Sequence, residues 1–121
     1  NELLEDVNWV GFYLLKGETL CLGPFQGKPA CTRIETGKGV CGTAISENRT
    51  LYVDNVHLFS GHIACDGASN SEIVIVLHGE RGRQLGVLDI DSPLFSRFSA
   101  EDEVFLVQAA EIISRAIAQK L

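Results

Sequence analysis

The sequence predicts an α+β domain in which helices cover one side of an antiparallel sheet. Two observations carry this. Two pairs of β-rich apolar runs are each joined by a short charged turn containing glycine, and the C-terminal segment repeats its apolar residues at helical spacing. Asn1 to Val7 reads as the tail of a helix that begins before this chain. Trp9 to Leu15 (WVGFYLL) is rich in aromatic and β-branched residues, Lys16-Gly17-Glu18 is turn material, and Thr19 to Phe25 (TLCLGPF) is the hairpin partner. Gln26 to Ala30 forms a Gly/Pro-containing loop that delivers Cys31, and Thr32 to Glu35 is a short strand. Gly37-Lys38-Gly39-Val40-Cys41-Gly42 lacks the residue order of a phosphate-binding P-loop, so it is read as a loop entering a short helix over Gly39 to Asn48.

Leu51 to Val56 is a further short strand. Glu72 to His78 (EIVIVLH) is a strand of the fully buried type, Gly79 to Arg83 (GERGR) a charged turn, and Leu85 to Asp91 (LGVLDID) its antiparallel partner. Ser99 caps a final helix with Glu101 and Asp102 in its first turn. Val104, Phe105, Ala109, Ile112, Ile113, Ala116 and Ile117 give that helix an apolar stripe that belongs to the core.

A length of 121 residues fits one domain, and 45% hydrophobic with 21% charged residues excludes a disordered chain. A formal net charge of −6 argues against nucleic acid or an anionic membrane as partner, and no apolar run is long enough to span a bilayer. The chain begins with Asn and contains no Met, so it is expected to be a fragment or processed form. The four cysteines, Cys21, Cys31, Cys41 and Cys65, lack the Cys-x-x-Cys pairs of structural zinc. A core of this size needs no disulfide staples, which leaves redox chemistry in a reducing, cytoplasmic compartment as an alternative to simple packing of each thiol.

The stretch from Ser60 to Ser71 (SGHIACDGASNS) places His62, Cys65 and Asp66 among glycines and small polar residues between two apolar runs. It is either a loop presenting a nucleophilic thiol or a flexible connector in which Cys65 packs as a small hydrophobe. His57 and His62 with Cys65 make too loose a set for zinc, and no metal is expected. Antiparallel pairing across Gly79 to Arg83 brings Glu72 near Asp89 and Asp91, whose alternation points both to one face. A solvated sheet edge would scatter its charges; matching ends of two apolar strands favour a site.

The runs NWVGFYLL, LGPFQGKPAC, GKGVCGTA, GHIACD, ASNSEIV and GVLDIDSP resemble the free methionine-(R)-sulfoxide reductases, enzymes of GAF fold, over essentially the whole chain. The resemblance implies a single GAF-like domain over residues 1–121, lacking its N-terminal helical segment, with a ligand pocket covered by loops on the sheet side away from the helices. It implies thiol-dependent reduction of free L-methionine (R)-sulfoxide to methionine. Cys65 would be the nucleophile and Cys31 the resolving cysteine, with Cys41 auxiliary or an alternative resolving thiol. Glu72, Asp89, Asp91, Trp9 and Tyr13 would bind substrate, and thioredoxin would serve as reductant with no bound cofactor. A homodimer is compatible with the resemblance. Val76 and Gly67 depart from the family pattern without removing a chemical group, and Cys21 has no family role.

The residue types suit that chemistry. Sulfoxide reduction by a thiol needs a nucleophilic sulfur, a proton for the departing oxygen and a second thiol that converts the sulfenic acid to a disulfide. Negative charge opposes thiolate formation, so the acids are expected to serve the substrate: two to hold its ammonium group, and a third, kept protonated by crowding, to donate to the sulfoxide oxygen. Trp9 would stack on the S-methyl group. A non-catalytic GAF domain sensing a small ligand or redox state is the main rival reading, and a disulfide-stapled secreted domain a third.

Overall fold

The structure, a computed structural model, describes residues 7–27, 31–56 and 70–118. In chain order the elements are β1 (Trp9–Lys16), β2 (Thr19–Gln26), β3 (Arg33–Glu35), α1 (Gly39–Glu47), β4 (Leu51–Val53), β5 (Ser71–His78), β6 (Gln84–Ser92) and α2 (Ala100–Ala118). The strands make one six-stranded sheet in the order β3-β2-β1-β6-β5-β4, and every pairing is antiparallel. Both predicted hairpins are present, and pairing of β1 with β6 joins them at the centre of the sheet. That junction is tight. A side chain at Gly86 would strike the Tyr13 carbonyl, so only glycine lets the two strands approach there.

Strand alternation sorts the side chains to two faces. Ile73, Ile75 and Leu77 of β5 with Leu88 and Ile90 of β6 form one apolar cluster, covered by Leu106 and Ala110 of α2 and by Phe98 just before it. Val74, Val76 and Val87 lie in the other cluster with Trp9, Tyr13 and the Val40, Cys41, Ala44 and Ile45 side of α1. Strand β5 is apolar from Ile73 to Leu77 because both of its faces are covered: all its residues but His78 are buried. The terminal helix covers the sheet, but not with the whole predicted stripe: Leu106, Ala110 and Ser114 are buried, with Val107, Ile113 and Ile117 packed beside them, whereas Val104, Phe105, Ile112 and Ala116 are exposed. The short α1 lies on the opposite face, beside the acids.

Helix ends are fixed by side chains. At the start of α2 the Ser99 Oγ accepts from the Asp102 N–H at 3.1 Å while the Asp102 carboxylate accepts from the Ser99 N–H at 2.9 Å, a reciprocal cap. At the other end of α1, Asn48 turns left-handed with φ 53° and its N–H bonds to the Ala44 and Ile45 carbonyls. Gln84 of β6 donates to the Ile45 carbonyl and to Asn48 Oδ1, both at 2.9 Å, so α1 is moored to the sheet. The strand expected over Leu51 to Val56 ends at Val53. Beyond it, the Asp54 carbonyl is claimed by the Ser96 N–H and the Val56 N–H bonds to the Asn70 carbonyl, which takes the backbone off the ladder. No helix among the described residues is long and apolar enough to cross a membrane.

Candidate active site

The three central strands build the site in rows. Glu72 of β5 pairs directly with Asp91 of β6, which pairs with Trp9 of β1. One row along lie Val74, Asp89 and Gly11, and after them Val76, Val87 and Tyr13. Period-two alternation puts all nine on the face that α1 shares. The sheet therefore sets three carboxylates and two aromatic rings side by side, and α1 lowers Cys41 onto them. Cys41 Sγ lies 3.9 Å from Glu72 Oε2.

Glycine in the middle row shapes the wall. A side chain at Gly11 would occupy the space filled by the Trp9 indole and by Phe25. With that space vacant the indole leans across the strand, stacking on Tyr13 with ring centroids 5.9 Å apart and on Phe25 at 5.7 Å. The Tyr13 hydroxyl donates to the Cys31 carbonyl at 3.0 Å, tying the backbone at Cys31 to the aromatic wall. Cys31 is disulfide-bonded, whereas Cys21 and Cys41 are free thiols.

Burial dominates the electrostatics. Glu72, Asp89 and Asp91 are 8, 5 and 7% exposed. The ion pairs among the described residues, Arg49–Glu47 and Arg97–Asp102, include neither Glu72 nor Asp89. Asp89 Oδ1 is buried with no hydrogen-bond partner among those residues. Desolvation, then the neighbouring Asp91 and Glu72, hold the Asp89 carboxyl well above the usual carboxylate range, which favours its protonated form. Burial and then Asp89, Glu72 and Asp91 raise the Cys41 thiol, which is therefore no ready thiolate. The Tyr13 phenol is raised first by burial, then by Cys41 and the acids, and remains a donor. A face with buried acids of this kind suits a cationic, partly apolar ligand.

The expected Glu72, Asp89, Asp91, Trp9, Tyr13 and Cys41 are thus gathered on one face, with Cys31 anchored to it through Tyr13. Cys65, with His57, His62 and Asp66, lies outside the described residues, as does the 60–69 part of the glycine-containing stretch. The residues flanking that segment are well placed: Val56 and Asn70 are hydrogen-bonded to each other, and the Asn70 N–H bonds to the Ser92 carbonyl one residue beyond Asp91. Sequence reasoning missed Gly11 and the Tyr13–Cys31 link. The first had a signal, a glycine inside an otherwise bulky strand; the second had none, since it joins residues 18 apart in sequence. A groove of about 710 Å³ lies elsewhere, against Ile75, Val107 and Ala110, and no cysteine among the described residues lines it.

Comparison with known proteins identifies the family. Residues 4–117 match the GAF domain family. The free methionine-R-sulfoxide reductase of Escherichia coli K12 is 55% identical over 117 residues, covering 97% of this chain and 70% of that protein. The structure of fRMsr of Staphylococcus aureus in complex with substrate superposes with a TM-score of 0.85 at 53% identity, over 92% of this chain and 72% of that one. Free methionine-R-sulfoxide reductase from Neisseria meningitidis, also in complex with its substrate, gives a TM-score of 0.87 at 42% identity over 94% and 70% of the two chains. The chain belongs to the GAF-domain family and, within it, to the free methionine-R-sulfoxide reductases.

Proposed function

We propose that this protein reduces free L-methionine (R)-sulfoxide to L-methionine. The observation that carries the reading is the buried row of Glu72, Asp91 and Trp9 with Asp89 beside it. Glu72 and Asp91 would hold the substrate ammonium by charge-assisted hydrogen bonds, a group that a peptide-bound residue lacks. Protonated Asp89 would donate to the sulfoxide oxygen, and its unpartnered Oδ1 leaves it free to turn toward a ligand. Trp9 and Tyr13 would flank the thioether, where sulfur–aromatic contact contributes about 0.3–1.5 kcal/mol.

Chemically, the Cys65 sulfur attacks the sulfoxide sulfur, oxygen passes to Cys65 as a sulfenic acid, and methionine leaves as the reduced thioether. The Cys31 thiol then attacks the sulfenic sulfur, releasing water and forming a disulfide, which a dithiol reductant of the thioredoxin class returns to two thiols. Engagement of Cys31 in a disulfide supports it as the resolving residue over Cys41, whose buried, raised thiol remains free and suits an auxiliary place. A reducing compartment such as the cytoplasm fits this cycle. Turnover coupled to thioredoxin, assayed with each epimer of free methionine sulfoxide and with an N-acetylated substrate, tests the reading. Activity confined to the free (R) epimer and lost in Cys65→Ser is expected; equal use of the N-acetylated substrate would remove the role given to the acids.

A further inference from the structure

We propose that the acid pocket also binds a thiophilic divalent cation, Zn²⁺ being the type, through Cys41 Sγ and the carboxylates of Glu72 and Asp89, and that this ion excludes the substrate. One ligand atom from each of the three residues lies within 4.8 Å of the other two, and the Cys41–Glu72 pair is at 3.9 Å. Zinc takes sulfur at about 2.3 Å and carboxylate oxygen at about 2.0–2.2 Å, which sets tetrahedral ligand atoms roughly 3.5 Å apart. The trio must close by only about an ångström at its widest, within the reach of side-chain torsions.

An independent observation also points to a ligand. Asp89 is 5% exposed, and its Oδ1 has no hydrogen-bond partner among the described residues. Buried polar atoms in folded proteins are nearly always partnered, so an unpartnered acceptor facing a thiol and a second carboxylate marks a place for a cation. The donors are held from three directions: Glu72 and Asp89 by neighbouring rows of the central strands, Cys41 by a helix moored through Asn48 and Gln84. Binding would displace the Cys41 thiol proton and the Asp89 carboxyl proton to solvent as the ion takes their place, and three protein ligands leave the fourth tetrahedral position to a further donor such as water. The set uses neither Cys31 nor Cys65, so the ion has a site whether or not the redox disulfide is formed. Only the claim of competition rests on the reductase reading, because the ion and the substrate ammonium would claim the same carboxylates.

Calorimetric titration of Zn²⁺ into the protein with its redox disulfide formed, together with the thiolate-to-metal band of the Co²⁺ form, tests the site. One equivalent is expected to bind. Cys41→Ser is expected to weaken binding by about tenfold or more and remove the Co²⁺ band, and Glu72→Gln to weaken binding similarly while keeping the band. Circular dichroism establishes that each variant is folded, and Glu72→Gln decides the matter should Cys41→Ser not fold. Added methionine sulfoxide should relieve Zn²⁺ inhibition of turnover. Absence of Zn²⁺ binding, binding that vanishes when the disulfide forms, or affinity unchanged in both variants would overturn the assignment. Zn²⁺ binding by a protein that never turns over methionine sulfoxide would keep the metal site and remove the reductase reading instead.

Discussion

Asp89→Asn is expected to move stability and activity in opposite directions. Asparagine keeps the size and a donor but can neither ionise nor give up a proton. In the native protein Asp89 is desolvated, crowded by Asp91 and Glu72, and holds its proton well above the ordinary value of 3.8. For an acid with a raised native pKa, stability is fully present below the unfolded value and is lost as pH rises toward the native one. The substitution removes that loss; replacing a buried ion pair by well-packed apolar residues ranges from neutral to stabilising by about 1–4 kcal/mol, which bounds the gain from above for one acid exchanged for an amide. We expect a gain near the lower end, about 1 kcal/mol, because the amide must still find partners for its own polar atoms. This corresponds to roughly 4 °C in Tm, read by calorimetry at neutral pH, with the gain shrinking as pH falls toward about 4. Loss of a positioned proton donor costs about 10²–10⁴ in rate, or roughly 3–5 kcal/mol of barrier, read as kcat with free methionine sulfoxide. Destabilisation beyond about 1 kcal/mol, or turnover within about twofold of the parent, would refute the assignment of Asp89 as a proton-bearing acid at a ligand-facing position.

Other substitutions separate the remaining contributions. Tyr13→Phe removes the hydroxyl that holds the Cys31 carbonyl, at a cost of about 0.5–1.5 kcal/mol; single-turnover yield of methionine should persist while dimedone trapping of sulfenic acid increases. Gly11→Ala drives a methyl group into the Trp9 indole and should cost about 1–3 kcal/mol and raise KM more than it lowers kcat, as measured by denaturation and initial rates. Ser99→Ala breaks the reciprocal cap of α2 and should cost about 0.5–2 kcal/mol with activity unchanged. Asp102, lowered chiefly by the Ser99 N–H that alanine keeps, supplies stability that is present above 3.8 and lost on acidification below it, so Ser99→Ala should leave most of the acid limb of a stability–pH curve in place.

The strands and the extent of the terminal helix were legible because period-two and helical patterns are written residue by residue; the face that helix buries was not, since Val104, Phe105 and Ile112 are exposed while Leu106 and Ala110 meet the sheet. Glu72, Asp89 and Asp91 could be brought together from sequence because a short turn fixes the register of β5 against β6, and register decides which face each side chain takes. Pairing of β1 with β6 was not legible. Nothing local in WVGFYLL specifies a partner so distant along the chain, and the site becomes whole only when Asp91 meets Trp9 across that junction. The Tyr13–Cys31 link was hidden for the same reason: it is made by tertiary placement, with no spacing rule behind it. Strand β4 ended early because backbone groups from Asn70 and Ser96 captured the chain beyond Val53, a competition that propensity does not record.

The two faces of the sheet have divided stability and chemistry between them. Against α2, Ile73, Ile75, Leu77, Leu88 and Ile90 belong to a largely apolar cluster whose chief requirement is hydrophobic volume of the right shape. Against α1, the same two strands carry Glu72, Asp89 and Asp91 at positions where Val or Ile would bury more apolar area, and Asp89 Oδ1 has no hydrogen-bond partner among the described residues. Acids there weaken the fold, and they also oppose thiolate formation at Cys41. A protein selected for stability alone would not keep them, so they are best accounted for by what the pocket must hold. The glycine at position 11 fits the same account: it gives up side-chain packing in a central strand so that an indole can lie flat beside Asp89 and form a wall. Destabilising choices converge on one face, within three adjacent rows of three strands, and that convergence locates the site more firmly than any one of its residues.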